Sequence, residues 1–98
     1  MIRLTELERR GRRVELRLEG ELDQEALGVL AQAFAEYGRH GVREMRLAVD
    51  GLQPVLPASL KELARLSAGC PGARFHSSSR FLQVLLRSYG MEVEGGHV

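Results

Sequence analysis

Hydrophobic residues recur along this chain with two different periods. Val14, Leu16 and Leu18 alternate with Glu15, Arg17 and Glu19, and Met45, Leu47 and Val49 alternate with Glu44, Arg46 and Ala48. A period of two marks a strand with one covered face. Ala26, Leu27, Leu30, Ala31, Phe34 and Tyr37 instead share one stripe of a helix, with Gln24, Glu25, Gln32 and Glu36 away from it. Phe34 and Tyr37 on such a stripe read as core. Leu60, Leu63, Ala64 and Ser67 repeat the helical spacing, and a third helix is expected to carry Phe81, Leu82, Leu85, Leu86 and Tyr89 inward, with Arg80, Gln83 and Arg87 outward. Ile2 and Leu4 open a short strand, Ala73 to Ser77 reads as another, and Met91 to Glu94 adds an edge strand before the tail 95–98, expected to be frayed.

The punctuation between these segments sets their order. An arginine-rich turn centred on Gly11 makes the first two strands a hairpin. Asp23 is the expected N-cap of the first helix and Gly38 its stop. Asp50-Gly51 is expected to end the central strand. Pro54 and Pro57 stiffen the crossing, and Ser59-x-x-Glu62 reads as a capping box with Ser59 as N-cap. The second helix stops at Gly69, Ser77 to Ser79 offer a cap for the third, and Gly90 ends it. Strand, strand, helix, strand, helix, strand, helix, strand is an α/β order in a single domain spanning residues 1–98. It predicts a mixed, mostly parallel sheet of four or five strands with an antiparallel opening hairpin and about three packed helices. Right-handed crossovers then bring Asp23, Asp50, Ser59 and Ser77 to Ser79 to one edge of the sheet, beyond the carboxyl ends of its strands, where ligands of open α/β sheets collect.

Composition narrows the function. Fourteen basic and thirteen acidic side chains give a net charge of +1, so general attraction to nucleic acid is not expected, and Arg9, Arg10, Arg12 and Arg13 around Gly11 read as a solvated hairpin tip that keeps a sheet edge soluble. Cys70 is the only cysteine, which excludes an internal disulfide and suggests a reducing, cytoplasmic location. There is no apolar run of the length needed to cross a bilayer, so no membrane insertion is expected. His40, His76 and His97 have no ligand spacing, which argues against a metal site. Ser59 as a nucleophile would need a base, and the only histidine near its predicted edge is His76, one residue inside a strand. None of the phosphate-cradling or nucleophile-elbow glycine motifs occurs. These observations favour a binding domain without catalytic residues or cofactor. A small enzyme or weak nucleotide binder using Asp23 and Asp50 is the alternative of a different class.

The order of elements, Leu16-Arg17-Leu18-Glu19-Gly20-Glu21-Leu22-Asp23, the Val49-Asp50 strand end and Leu85-Leu86-Arg87-Ser88-Tyr89-Gly90-Met91 together resemble the STAS domain of anti-sigma-factor antagonists, over nearly the whole chain. In that family the loop before the second helix usually reads Asp-Ser-Ser-Gly, and the serine or threonine before the glycine is phosphorylated by a partner kinase. The matching residues are Pro57-Ala58-Ser59-Leu60: Ser59 stands at the phosphoacceptor, while the acidic residue, the first serine and the glycine are replaced. The resemblance implies a protein-interaction module that binds an anti-sigma factor or related kinase in a partner-switching pathway, with Ser59 as its regulated residue. It also allows an accessory STAS subunit of an ABC-type lipid-transport complex, which needs the fold but not the phosphoacceptor. The expected partner surface comprises Asp23, Asp50, Ser59, Lys61, Glu62 and Arg65.

Overall fold

The computed structural model describes residues 1–53, 56–70 and 72–95. The elements are β1 (Ile2–Arg10), β2 (Arg13–Gly20), α1 (Gln24–Arg39), β3 (Glu44–Leu52), α2 (Pro57–Ala68), β4 (Ala73–Ser77), α3 (Arg80–Ser88) and β5 (Val93–Gly95). Five strands form one sheet in the order β1-β2-β3-β4-β5, antiparallel between β1 and β2 and parallel elsewhere. This is the expected mixed α/β sheet with an antiparallel opening hairpin.

Because the strand order is also the chain order, each crossover steps the same way across the sheet, and right-handed connections must all land on one face. The packing agrees. Register aligns Leu16, Leu47, Phe75 and Val93 in one rung across four strands. Val14, Leu16, Leu18, Met45, Leu47, Val49 and Phe75 share a single core with Ala26, Leu30 and Phe34 of α1, Leu60 and Leu63 of α2, and Leu82 and Leu86 of α3. The alternate residues carry charge on the uncovered face. There Arg46 lies 3.3 Å from Glu15 and places Nε 2.6 Å from Glu94 Oε1. Those last two atoms are shut off from solvent and have only each other, tying the short β5 to the middle of the sheet.

Several boundaries differ from the sequence reading. The opening strand is long rather than short, and a register shift between Glu6 and Glu8 lets it stay paired to Arg10. β3 does not stop at Asp50-Gly51 but continues to Leu52, because Gly51 lets it pass β2 closely: a Cβ there would come within 2.7 Å of the Glu19 side chain. β5 begins at Val93, two residues later than expected, since Met91 is buried in the core. Gly95 belongs to β5, and the rest of the expected frayed tail, 96–98, lies outside the described residues, as does Pro54.

The third helix is rotated relative to expectation. Phe81 is 73 % exposed and Gln83 is buried. At 100° per residue Leu82, Gln83 and Leu86 span one narrow arc, and Phe81 falls on the far side. Gln83 is drawn inward by a bond the periodicity could not show: its side-chain amide donates to the Ser77 carbonyl at 2.7 Å. A buried amide with a partner is acceptable in a core; without one it is costly.

The turn Gly20-Glu21-Leu22-Asp23 has a clear physical reading. Gly20 has φ +110, and a Cβ there would run into the Met1 carbonyl oxygen. Leu22 is buried, and Asp23 caps α1. Gly20→Ala is therefore expected to destabilise the fold by about 1–3 kcal/mol. Gly28, exposed within α1 with open space around it, should behave oppositely: Gly28→Ala should stabilise by about 0.5–1 kcal/mol. Urea midpoints of the two variants against wild type check both signs.

Candidate functional site

The carboxyl ends of β2, β3 and β4 lie on one edge, as their parallel pairing requires. Asp23 sits there with extended backbone and accepts from the Ala26 N–H at 2.8 Å. Its carboxylate thus serves the N-terminus of α1, as expected of an N-cap.

Asp50 is more heavily engaged. It accepts from the hydroxyl of the fully buried Ser77, from the Ser78 N–H at 3.0 Å and from the Ser78 hydroxyl at 2.7 Å. Ser77 Oγ in turn accepts from the Ser79 N–H at 3.0 Å, and Ser79 caps α3 by accepting from Leu82. One carboxylate at the end of β3 therefore organises the whole β4–α3 turn. Burial alone would raise its pKa, but the Ser77 and Ser78 hydroxyls, the Ser78 N–H and the charge of His76 outweigh that and hold it below the ordinary carboxylate value. A carboxylate held ionised by donors from its own chain is a poor proton acceptor, and Asp23 and Asp50 each serve a different turn rather than a shared reaction centre.

Ser59 is not the N-cap. The second helix starts three residues earlier, with Leu56 in the cap position and Pro57 in the first turn, and no side chain caps it. Proline is favoured there because its fixed φ suits a helix and its missing N–H would have had no partner. Ser59 lies two residues after Pro57 in that turn and is partly exposed. The Glu62 carboxylate, expected to complete a capping box, instead pairs with Arg65 at 2.8 Å, a rim pair contributing little stability.

What the fold does bring together is Ser59, Glu62 and Arg65. With Ala58 and Leu66 they form one wall of a cleft of about 800 Å³ whose other wall is Gln24, Leu27 and Gly28 of α1. Lys61 is exposed outside this cleft, and Asp23 and Asp50 do not line it. Towards the opposite end of the same helix pair lies a smaller, more apolar hollow of about 280 Å³ between Ala31, Ala35 and Gly38 on one side and Leu66, Gly69 and Cys70 on the other. Burial pushes the Cys70 thiol pKa up, which lowers its thiolate fraction and its reactivity. Among the described residues no group of three or more His, Cys, Asp or Glu side chains could hold a metal, and no helix is long and apolar enough to cross a membrane.

Gln24, Leu27 and Gly28 are absent from the surface expected from sequence. Leu27 was read as core stripe and Gln24 as solvated, and both readings are half correct: the residues border the cleft where α1 turns from α2 to water. No protein-family model matches the chain, and no curated protein does.

Two outcomes separate the clamp from the cleft. Asp50→Ala leaves the buried Ser77 hydroxyl without its acceptor and should cost about 1–3 kcal/mol, whereas Ser59→Ala, removing no cap, should stay within about 0.5 kcal/mol of wild type. The Asp50 contribution also has a sign in pH. Its folded pKa lies below the usual 3.8, so the stabilisation is fully present above that value and fades as pH falls through the folded pKa. Denaturation of wild type and Asp50→Ala from pH 7 to pH 2 should show a constant gap above about pH 5 that narrows in acid.

Proposed function

We propose that this chain is a STAS-type protein-interaction domain that docks an anti-sigma factor or related protein kinase in a partner-switching pathway and catalyses no reaction itself. The observation that carries the reading is the cleft between α1 and α2. Its wall places Ser59, the residue matching the family's phosphoacceptor, one turn from the Glu62–Arg65 pair and opposite Gln24, Leu27 and Gly28. Such an open surface of mixed polarity suits a protein partner better than a small substrate, which calls for an enclosed pocket with converging polar groups.

Phosphorylation would act locally. A phosphoserine at position 59 brings about −1.5 to −2 charges to the first turn of α2, where the helix dipole favours it. Glu62, one turn along the same face, opposes it. A partner covering the cleft would have to desolvate that dianion, a penalty large enough to release a micromolar complex. Isothermal titration of wild type, Ser59→Ala and Ser59→Asp with a candidate anti-sigma factor or kinase from the same organism tests the proposal. Ser59→Ala should bind like wild type, and Ser59→Asp should bind at least tenfold more weakly with its melting temperature unchanged.

A second reading has its own observation. Ser59 and its neighbours Pro57 and Ala58 belong to the regular first turn of α2, so a kinase would have to unwind that turn to seat the serine. An accessory STAS subunit of an ABC-type lipid-transport complex needs the same fold and cleft without that modification. Equal binding by all three variants, together with recovery of a transport ATPase in a pull-down, would favour this second reading over the first.

A further inference from the structure

We infer that the pole opposite Ser59 is a second docking surface, built for a discrete acidic segment of a partner protein. It lies at the amino ends of β2 and β3, where the β1–β2 hairpin meets the turn between α1 and β3. The Arg12 carbonyl accepts from the Arg43 N–H at 2.7 Å and from the Glu44 N–H at 3.1 Å, which sets the backbones of these two arginines side by side. Arg9 reaches across from β1 and donates to the His40 carbonyl at 3.0 Å, so its guanidinium is held over the same turn. Arg9, Arg12 and Arg43 are all exposed. None has a carboxylate within salt-bridge distance among the described residues. Three arginines from three segments are thus placed together with their charges uncompensated.

Their neighbours are different. Arg10 pairs with Glu8 at 3.2 Å, Arg13 with Glu44 at 3.1 Å and Arg39 with Glu36 at 2.7 Å. This interleaving of sign identifies the partner. Nucleic acid presents a phosphate charge about every 1.7 Å of duplex and would set phosphates against Glu8, Glu36 and Glu44 as well as against the free arginines. An anionic membrane spreads its charge evenly and meets the same repulsion. No exposed aromatic side chain belongs to the cluster to stack on a base, the usual means of holding a single strand. A peptide with two or three carboxylates can place them on the free guanidiniums alone, and the guanidinium fork matches a carboxylate with two parallel hydrogen bonds. The surface is independent of the cleft at Ser59, so both can be occupied at once.

The test uses the whole chain and a fluorescein-labelled peptide carrying three glutamates spaced by glycine and serine, read by anisotropy at low and physiological salt. Two triple variants remove the same formal charge: Arg9→Gln with Arg12→Gln and Arg43→Gln, and Arg10→Gln with Arg13→Gln and Arg39→Gln. Melting curves confirm that both are folded. Wild type should bind the peptide with an affinity that falls as salt rises. The first triple should weaken binding at least tenfold, the second less than threefold, and Ser59→Asp should leave it unchanged. Failure of wild type to bind, or equal loss in both triples, would overturn the inference, the latter by reducing it to net charge. Tighter binding of duplex DNA or of phosphatidylserine vesicles than of the peptide would overturn it as well. None of these results bears on the titrations at Ser59, so the two surfaces stand or fall separately.

Discussion

The parallel pairing of β2, β3 and β4 in chain order is the constraint on which the rest of this molecule depends. The rung of Leu16, Leu47 and Phe75 sets the register, and a slip of one residue would turn Glu15, Arg46 and Arg74 into the core. With that register in place, each connecting helix returns over the same face. The consequence, among the described residues, is a sheet covered on one side only, two neighbouring helices with a cleft between them, and two poles of different chemistry. The carboxyl ends of the strands gather Asp23, Asp50 and the serines. The amino ends gather the hairpin arginines against the start of β3.

At the first pole the two carboxylates are occupied by backbone and hydroxyl donors from their own chain. Asp50 in particular fixes the entry of α3, and Gln83 reinforces the same turn by donating to the Ser77 carbonyl. Both carboxylates that the sequence brings to this edge thus hold local turns in three dimensions. Residues left free to meet a partner belong to the facing walls of α1 and α2, where Gln24, Leu27 and Gly28 oppose Ser59, Glu62 and Arg65. The STAS-type interaction proposed for the chain rests on this cleft and on the residues that resemble the family.

Much of the fold was legible because its signals are local and agree with one another. Alternation in β2 and β3, the stripe of α1 and the capping role of Asp23 each involve residues within a few positions, and tertiary packing had no reason to override them. The errors arose where two local signals competed or where the decisive contact was remote. At the start of α2 the capping-box signal pointed to Ser59 and left Pro57 in the crossing, but the helix begins at Pro57, whose fixed backbone angle is already helical, and Ser59 lies inside the first turn. At α3 the stripe could have included Phe81 or Gln83. The choice was made by the Ser77 carbonyl, which lies outside the helix and cannot be seen in its periodicity. The bonds from Ser77 and Ser78 to Asp50 span 27 and 28 residues, and the wall contributed by α1 to the cleft depends on how two helices lie together. Neither is encoded in any short window of sequence.

The central claim is that the α1–α2 cleft, rather than the carboxylate edge or the uncovered sheet face, receives the partner. Backbone amide shifts recorded while the labelled chain is titrated with a candidate anti-sigma factor or kinase test this directly. The account predicts the largest changes at Gln24, Leu27, Gly28, Ser59, Glu62 and Arg65, with those of Arg17, Arg46 and His76 on the open face unmoved. Changes centred on the open face with the cleft silent would contradict it.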